Sequence, residues 1–157
     1  MANTVQIRSD KGIHPVDKRL VRRLALAILK HLQAEDAELS VYLCSTETIH
    51  GLNRDWRGKD QPTDVLSFPQ DCLDGPISGP LGDIVLSTDV AVAQAAREGV
   101  TYESELLRLL VHGALHLVGY DHETGRPEAV RMRTEEKRIL GMMEAERAGI
   151  VTKTGKN

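Results

Sequence analysis

The sequence predicts an α+β fold in which a small mixed β-sheet packs against helices. Two observations support this class. Apolar segments short enough for strands occur at residues 4–8, 39–44, 63–68 and 83–86. Longer segments with helical periodicity separate the first three and follow the fourth. The most apolar helical segment, residues 106–118, predicts a buried central helix.

The first half of the chain contains two predicted helices. Pro15 opens the first helix, whose leucines and isoleucine recur on one side to about Leu32. Ser45 caps the second helix and Gly58 ends it. Its apolar positions fall at the spacing i, i+3 and i+7 and are Ile49, Leu52 and Trp56.

The second half contains three predicted helices. Residues 70–80 form a loop that is long for a compact domain. Residues 87–89 cap the third helix, which ends near Gly99, and Thr101 starts the central helix. Pro127 starts the last helix, for which the predicted core positions are Val130, Ile139, Leu140 and Met143.

Composition is ordinary for a globular protein. The 157 residues predict one domain over residues 1–151 and a polar tail over 152–157. The net charge of −3 gives no global attraction to nucleic acid, so RNA would need a local patch. The absence of a signal peptide, of a membrane span and of a cysteine framework favours a cytoplasmic protein without membrane partners.

Three histidines mark the central helix and the turn after it. A step of four residues places His112 and His116 about 40° apart on one helix face. His122 can join them only if the helix stops, and Gly119 permits a stop because glycine adopts positive φ at little cost. Three imidazoles with an open fourth position are typical of catalytic zinc. We therefore predict one Zn²⁺ per chain, and we assign structural roles to His14, His31 and His50.

The histidine spacing matches the metzincin pattern H-E-x-x-H-x-x-G-x-x-H, but Gly113 occupies the position of its glutamate. Glycine cannot act as the general base that peptide hydrolysis needs. A zinc peptidase is therefore an alternative that the sequence disfavours.

Residues 112–122 resemble the signature H-G-x-L-H-L-x-G-Y-D-H of the YbeY family of endoribonucleases and rRNA maturation factors. Residues 52–60, 63–69 and 81–84 are similar to three further family segments, in the same order. The resemblance implies a metzincin-like fold with the metal site on the central helix and following turn. It implies a zinc-dependent endoribonuclease specific for single strands, acting on the 3′ end of 16S rRNA and in ribosome quality control. Implied partners are rRNA and the ribosomal small subunit with its proteins; no DNA is expected.

Arg57 and His112 are the candidate catalytic residues. Arg57 matches a family position, and a guanidinium pairs with phosphate oxygens in a bidentate manner. The sequence leaves the roles of Lys59, Asp64 and Asp121 open. It also leaves open whether the basic face of the first helix binds RNA, and whether the protein is a non-catalytic assembly factor that zinc stabilises.

Overall fold

The computed structural model describes residues 2–70, 75–121, 123 and 125–156, with side chains up to residue 146. The described chain contains four strands and five helices. The elements are β1 (Thr4–Ser9), α1 (Lys18–His31), β2 (Ala37–Cys44), α2 (Thr46–Arg57), β3 (Val65–Pro69), β4 (Gly79–Ser87), α3 (Thr88–Glu98), α4 (Tyr102–Leu117) and α5 (Arg126–Lys156). The predicted α+β class is confirmed.

The strands form one mixed sheet in the order β1-β2-β4-β3. β2 pairs in parallel with both β1 and β4, whereas β3 runs antiparallel to β4. β3 is therefore an edge strand. A cleft lies along this edge of the sheet, and residues of β3 contribute to its lining.

The side chains of β2 alternate between two apolar clusters, as the pleat of a strand requires. Val41 and Leu43 enter the main core, to which α1, α4 and α5 contribute. Tyr42 and Cys44 face the other side of the sheet, where they pack with Ile49 of α2. The sheet thus separates α4 from α2, and both helices reach its β3 edge.

The three histidines that were assigned structural roles each contact another side chain. His50 Nε2 lies 2.8 Å from Asp60 Oδ1, and His31 Nε2 lies 2.9 Å from Glu146 Oε1. The ring of His14 packs edge-on against an aromatic ring at a centroid distance of 5.0 Å. These contacts agree with the structural roles assigned from the sequence.

Several predicted details are wrong. α1 begins at Lys18 rather than at Pro15, because Asp17 is the N-cap and accepts hydrogen bonds from two backbone amides. Trp56 is 72% exposed and Val130 43% exposed, although helical spacing placed both on apolar faces.

The last helix also differs from its prediction. Met132, which is not among the predicted core positions, occupies a core position instead of Val130. The backbone is helical to Lys156, through most of the segment predicted as a tail. No helix in the described part of the chain is long and apolar enough to cross a lipid bilayer.

Candidate active site

α4 places two of the predicted histidines at the β3 edge of the sheet. The side chain of Thr101 caps the start of α4 by accepting a hydrogen bond from the amide of Ser104 at 3.0 Å. The helix ends at Leu117, and Gly119 follows with a φ of 104°. The predicted stop at Gly119 is therefore confirmed, and it leaves His116 in the last turn of the helix.

A cleft of about 510 Å³ opens between the end of α2, the edge strand β3, and the end of α4 with its following turn. The described residues that line it include most of the polar side chains that the sequence selected. They are Asn53, Arg57, Lys59, Gln61, Thr63, Asp64, Val65, Leu66, Ser67, Pro69, His112, His116, Gly119, Tyr120, Asp121 and Glu123. The structure thus brings Arg57 and two histidines, which are far apart in sequence, into one concave site.

The imidazoles of His112 and His116 are neighbours in this cleft. Their ring centroids are 4.8 Å apart, with 73° between the ring planes. His112 Nδ1 lies 2.7 Å from Glu136 Oε1 of α5. When Nδ1 donates to a carboxylate, Nε2 carries the lone pair, and metal-ligating histidines commonly have such a partner. The donor set therefore fits a divalent transition metal.

The third predicted ligand, His122, lies outside the described residues. Within residues 2–70, 75–121, 123 and 125–156, no group of three or more His, Cys, Asp and Glu side chains has the arrangement of a metal site. The ligand set of His112, His116 and His122 therefore remains a prediction.

Arg57 is the last residue of α2, and its guanidinium reaches across to the turn that follows α4. Its Nη2 donates to both carboxylate oxygens of Glu123, at 2.9 and 3.2 Å. Lys59 Nζ lies 4.0 Å from the same carboxylate. Both cations are substantially exposed, so the carboxylate can exchange with an anion from solution.

Asp64 both caps a strand and lines the cleft. Its Oδ1 accepts a hydrogen bond from the amide of Val65 at 2.8 Å, where β3 begins. Its Oδ2 accepts from Gln94 at 3.2 Å and lies 3.6 Å from Arg108 Nη2. Both partners also bind the buried carboxylate of Glu105, at 2.7 and 2.5 Å. The hydrogen bond to Glu105 raises the pKa of Arg108, although burial opposes this, so its positive charge persists behind Asp64.

Asp121 has the geometry of a turn residue. Its Oδ1 accepts a hydrogen bond from the amide of Glu123 at 2.8 Å. A bond from an aspartate side chain to the amide two residues later is typical of an Asx-turn. The bond fixes the turn that presents Glu123 to Arg57. Tyr120 lines the cleft but also packs against the main core.

Gly113 has little room for a side chain at the position of the metzincin glutamate. The helix faces the sheet at this position, and a Cβ on Gly113 would lie 3.0 Å from Cγ2 of the fully buried Ile84. The carbonyl of Gly113 accepts a hydrogen bond from Ser67 of β3 at 2.9 Å. A side chain at residue 113 would therefore enter the packed interface between helix and sheet.

Replacing Gly113 with glutamate should lower the free energy of unfolding by about 3 kcal/mol or more, since it overpacks the core and buries a charge. Urea unfolding measures the loss. Gly141→Glu is the matched control, because a Cβ on Gly141 meets nothing within 4 Å in α5. Wild-type stability of Gly113→Glu, or a gain of peptidase activity, would contradict the packing argument.

Carboxylates outnumber cations in the described lining of the cleft. Asp64, Asp121 and Glu123 oppose Arg57 and Lys59. An RNA phosphate entering this cleft would meet a net negative lining unless a further cation were present. A divalent metal at the histidines would reverse that balance.

Comparison with known proteins identifies the family. A family model described as endoribonuclease YbeY matches residues 5–144. This chain belongs to the endoribonuclease YbeY family. The match confirms the resemblance seen in the sequence, and YbeY membership supports endoribonuclease function with RNA as the substrate.

Curated relatives of the same description cover nearly the whole chain. The endoribonuclease YbeY of Sulfurihydrogenibium sp. (strain YO3AOP1) is 41% identical over 144 residues, which is 92% of this chain and 95% of the relative. That of Chloroflexus aurantiacus (strain J-10-fl) is 44% identical over 150 residues, covering 91% and 97%. The solution structure of a Thermotoga maritima protein is similar with a TM-score of 0.58 and 28% identity, covering 91% of this chain and 93% of that one.

Sequence reasoning missed two kinds of residue in this YbeY site. Glu136 supports His112 from a helix that begins after the histidine turn, and one acidic residue among many in α5 gives no signal of its own. Gln94 and Glu105 support Asp64 from α3 and α4. Glu105 directly precedes the apolar segment 106–118, and a glutamate there is a usable signal because an unpaired buried carboxylate is rarely tolerated.

Replacing Glu136 with glutamine should weaken metal binding by about 10- to 100-fold, the usual cost of removing the partner of a ligating histidine. Competition with a chromophoric chelator measures the affinity. Glu135→Gln is the control, because Glu135 is the adjacent residue and pairs with Arg138 instead. Equal affinities in the wild type and Glu136→Gln would remove Glu136 from the metal site.

Proposed function

We propose that this chain is a zinc-dependent, single-strand-specific endoribonuclease that acts in rRNA maturation, including 3′ end processing of 16S rRNA, and in ribosome quality control. The observation that carries the proposal is one cleft that contains a histidine pair supported by a carboxylate together with the guanidinium of Arg57. The ribosomal role, the small-subunit partners and a cytoplasmic location rest on the family resemblance.

His112, His116 and His122 would hold the zinc ion. A bound zinc ion supplies Lewis-acid chemistry, which acidifies water to near neutral pH and offsets charge on a phosphodiester. That chemistry suits a site in which Gly113 leaves no protein general base on the helix. The same proposal includes a metzincin-like fold, in which the sheet packs over the helix that would hold the metal.

Arg57 would neutralise the charge that develops on the phosphate. In the absence of RNA its Nη2 donates to both carboxylate oxygens of Glu123, and a phosphate likewise offers two acceptor oxygens to a guanidinium. Exchange of one anion for the other keeps the guanidinium hydrogen-bonded throughout. Lys59 adds a second, more mobile positive charge at the same position.

Glu136 and Asp64 would act as positioning residues. Glu136 fixes the orientation of the His112 ring through Nδ1. Gln94 and Arg108 both contact the carboxylate of Asp64, so this negative charge has a fixed position in the lining of the cleft. Preorganised groups of this kind need not rearrange when charge develops on the substrate.

A cleavage assay on three substrates tests the proposal. We expect the zinc-loaded protein to cut an end-labelled single-stranded RNA, to leave the duplex of the same sequence largely intact, and to leave an unstructured peptide uncut. RNA that is bound and remains intact would favour the non-catalytic assembly factor. Peptide cleavage would favour the peptidase.

A further inference from the structure

Trp56 is a large apolar side chain that the fold leaves in solvent. Its side chain lies in the last turn of α2, and the residue is 72% exposed. The indole contacts the ring of Phe68 edge-to-face, with 6.2 Å between centroids and 76° between planes. This contact fixes one edge of the indole while most of its surface remains open.

The position of Trp56 relates it to the cleft. Trp56 does not line the cleft, but Arg57, the next residue, does. Its partner Phe68 stands between Ser67 and Pro69 of the edge strand, and both of these residues line the cleft as well. Trp56 is therefore the chain neighbour of the arginine assigned to the phosphate, and its ring partner lies between two residues of the cleft lining.

We propose that Trp56 is a stacking platform for an unpaired base of the RNA strand whose phosphate Arg57 holds. The inference rests on the proposed function and adds a determinant of substrate class to it. Aromatic side chains stack on every base, so the platform tolerates any sequence. A base inside a duplex is already stacked on both faces, so the indole can accept only a base from a single strand.

The chain offers a direct optical test, because Trp56 is its single tryptophan. Zinc-loaded wild-type protein is titrated with a single-stranded 2′-O-methyl RNA 12-mer carrying a fluorescent label, and a gel verifies that the strand stays intact. Label anisotropy reports binding, and tryptophan emission reports stacking. We expect emission to fall in parallel with binding for the single strand. A 12-mer of abasic sugar-phosphate with the same charge should bind without this quenching.

Variants separate stacking from charge. Trp56→Ala should weaken binding of the single strand by about 5- to 150-fold, which corresponds to the loss of one base–aromatic stack. Trp56→Phe should retain most of the affinity. The salt dependence of binding should stay unchanged in Trp56→Ala because no charge is removed. Val100→Ala is the matched control, since Val100 is 44% exposed and lies outside the cleft.

Two outcomes would overturn the inference, and they are distinguishable from failure of the proposed function. Saturated RNA binding with unchanged Trp56 emission, or wild-type affinity in Trp56→Ala, would show that the base is not stacked there. Such a protein could still cleave RNA through Arg57 and the metal. Absence of RNA binding by the wild type would instead reject both proposals together.

Discussion

Replacing Arg57 with lysine should lower the rate of RNA cleavage by about 10²–10³-fold, although the positive charge is kept. A lysine ammonium is a point charge and cannot present the planar pair of donors that a guanidinium offers to two phosphate oxygens. Arg57→Ala should lose at least as much. Single-turnover cleavage of a labelled single strand measures the chemical step.

Folding and metal content provide the controls for Arg57. The side chain is exposed at a helix end, so thermal midpoint and zinc content should hardly change. Arg54→Lys is a matched variant, because Arg54 lies one turn earlier in α2 and pairs with Asp55 outside the cleft. An Arg57→Ala protein that cleaves at the wild-type rate would remove Arg57 from the mechanism.

The double substitution His112→Ala/His116→Ala should reduce zinc content from one ion per chain to none. Two of three predicted ligands are then missing, and the remaining imidazole of His122 cannot hold the ion alone. Elemental analysis of protein purified without an affinity tag measures occupancy. The variant His50→Ala should keep its metal, since His50 pairs with Asp60 away from the cleft.

Metal binding should also stabilise the fold. Zinc at 100 times its dissociation constant contributes about 2.7 kcal/mol, which corresponds to about 5–10 °C in the thermal midpoint of a domain this size. A chelator should remove that increment from the wild type and have no effect on the double variant. Full zinc occupancy in the double variant would disprove the ligand assignment.

Helix ends were the part of the fold most accessible from sequence. Ser45 caps α2 as predicted, Ser87 within the predicted segment 87–89 caps α3, and Thr101, the predicted start of α4, is its N-cap. Their short side chains accept hydrogen bonds from the first-turn amides. The predicted start of α1 at Pro15 is wrong. Proline is merely compatible with a first helical turn, whereas the side chain of Asp17 accepts hydrogen bonds from two amides of that turn. A helix start is therefore predictable from sequence wherever the capping side chain can be identified.

The sequence was less informative about which helix faces are covered. Spacing placed Trp56 on an apolar face, but the sheet ends at β3 and nothing else in the described chain covers the indole. Periodicity shows that residues share a face and does not show what lies opposite.

The candidate site also contains residues that local sequence predicts and residues that only tertiary packing brings together. His112 and His116 share a helix face, which four-residue spacing determines without any tertiary information. Arg57 came from its family position, since its approach to the histidines depends on how α2 and α4 meet β3. Glu136 and Gln94 act through long-range contacts that no local pattern encodes.

The central claim is that cleavage requires a metal held by the histidines, and a metal titration of activity tests it most directly. Chelated protein receives increasing zinc, and the rate of single-stranded RNA cleavage is measured at each ratio beside His116→Ala purified identically. We predict no cleavage without metal, a linear rise to a plateau at one zinc per chain, and no activity in His116→Ala at any ratio. Cleavage at the full rate by metal-depleted protein, or by His116→Ala, would contradict the claim.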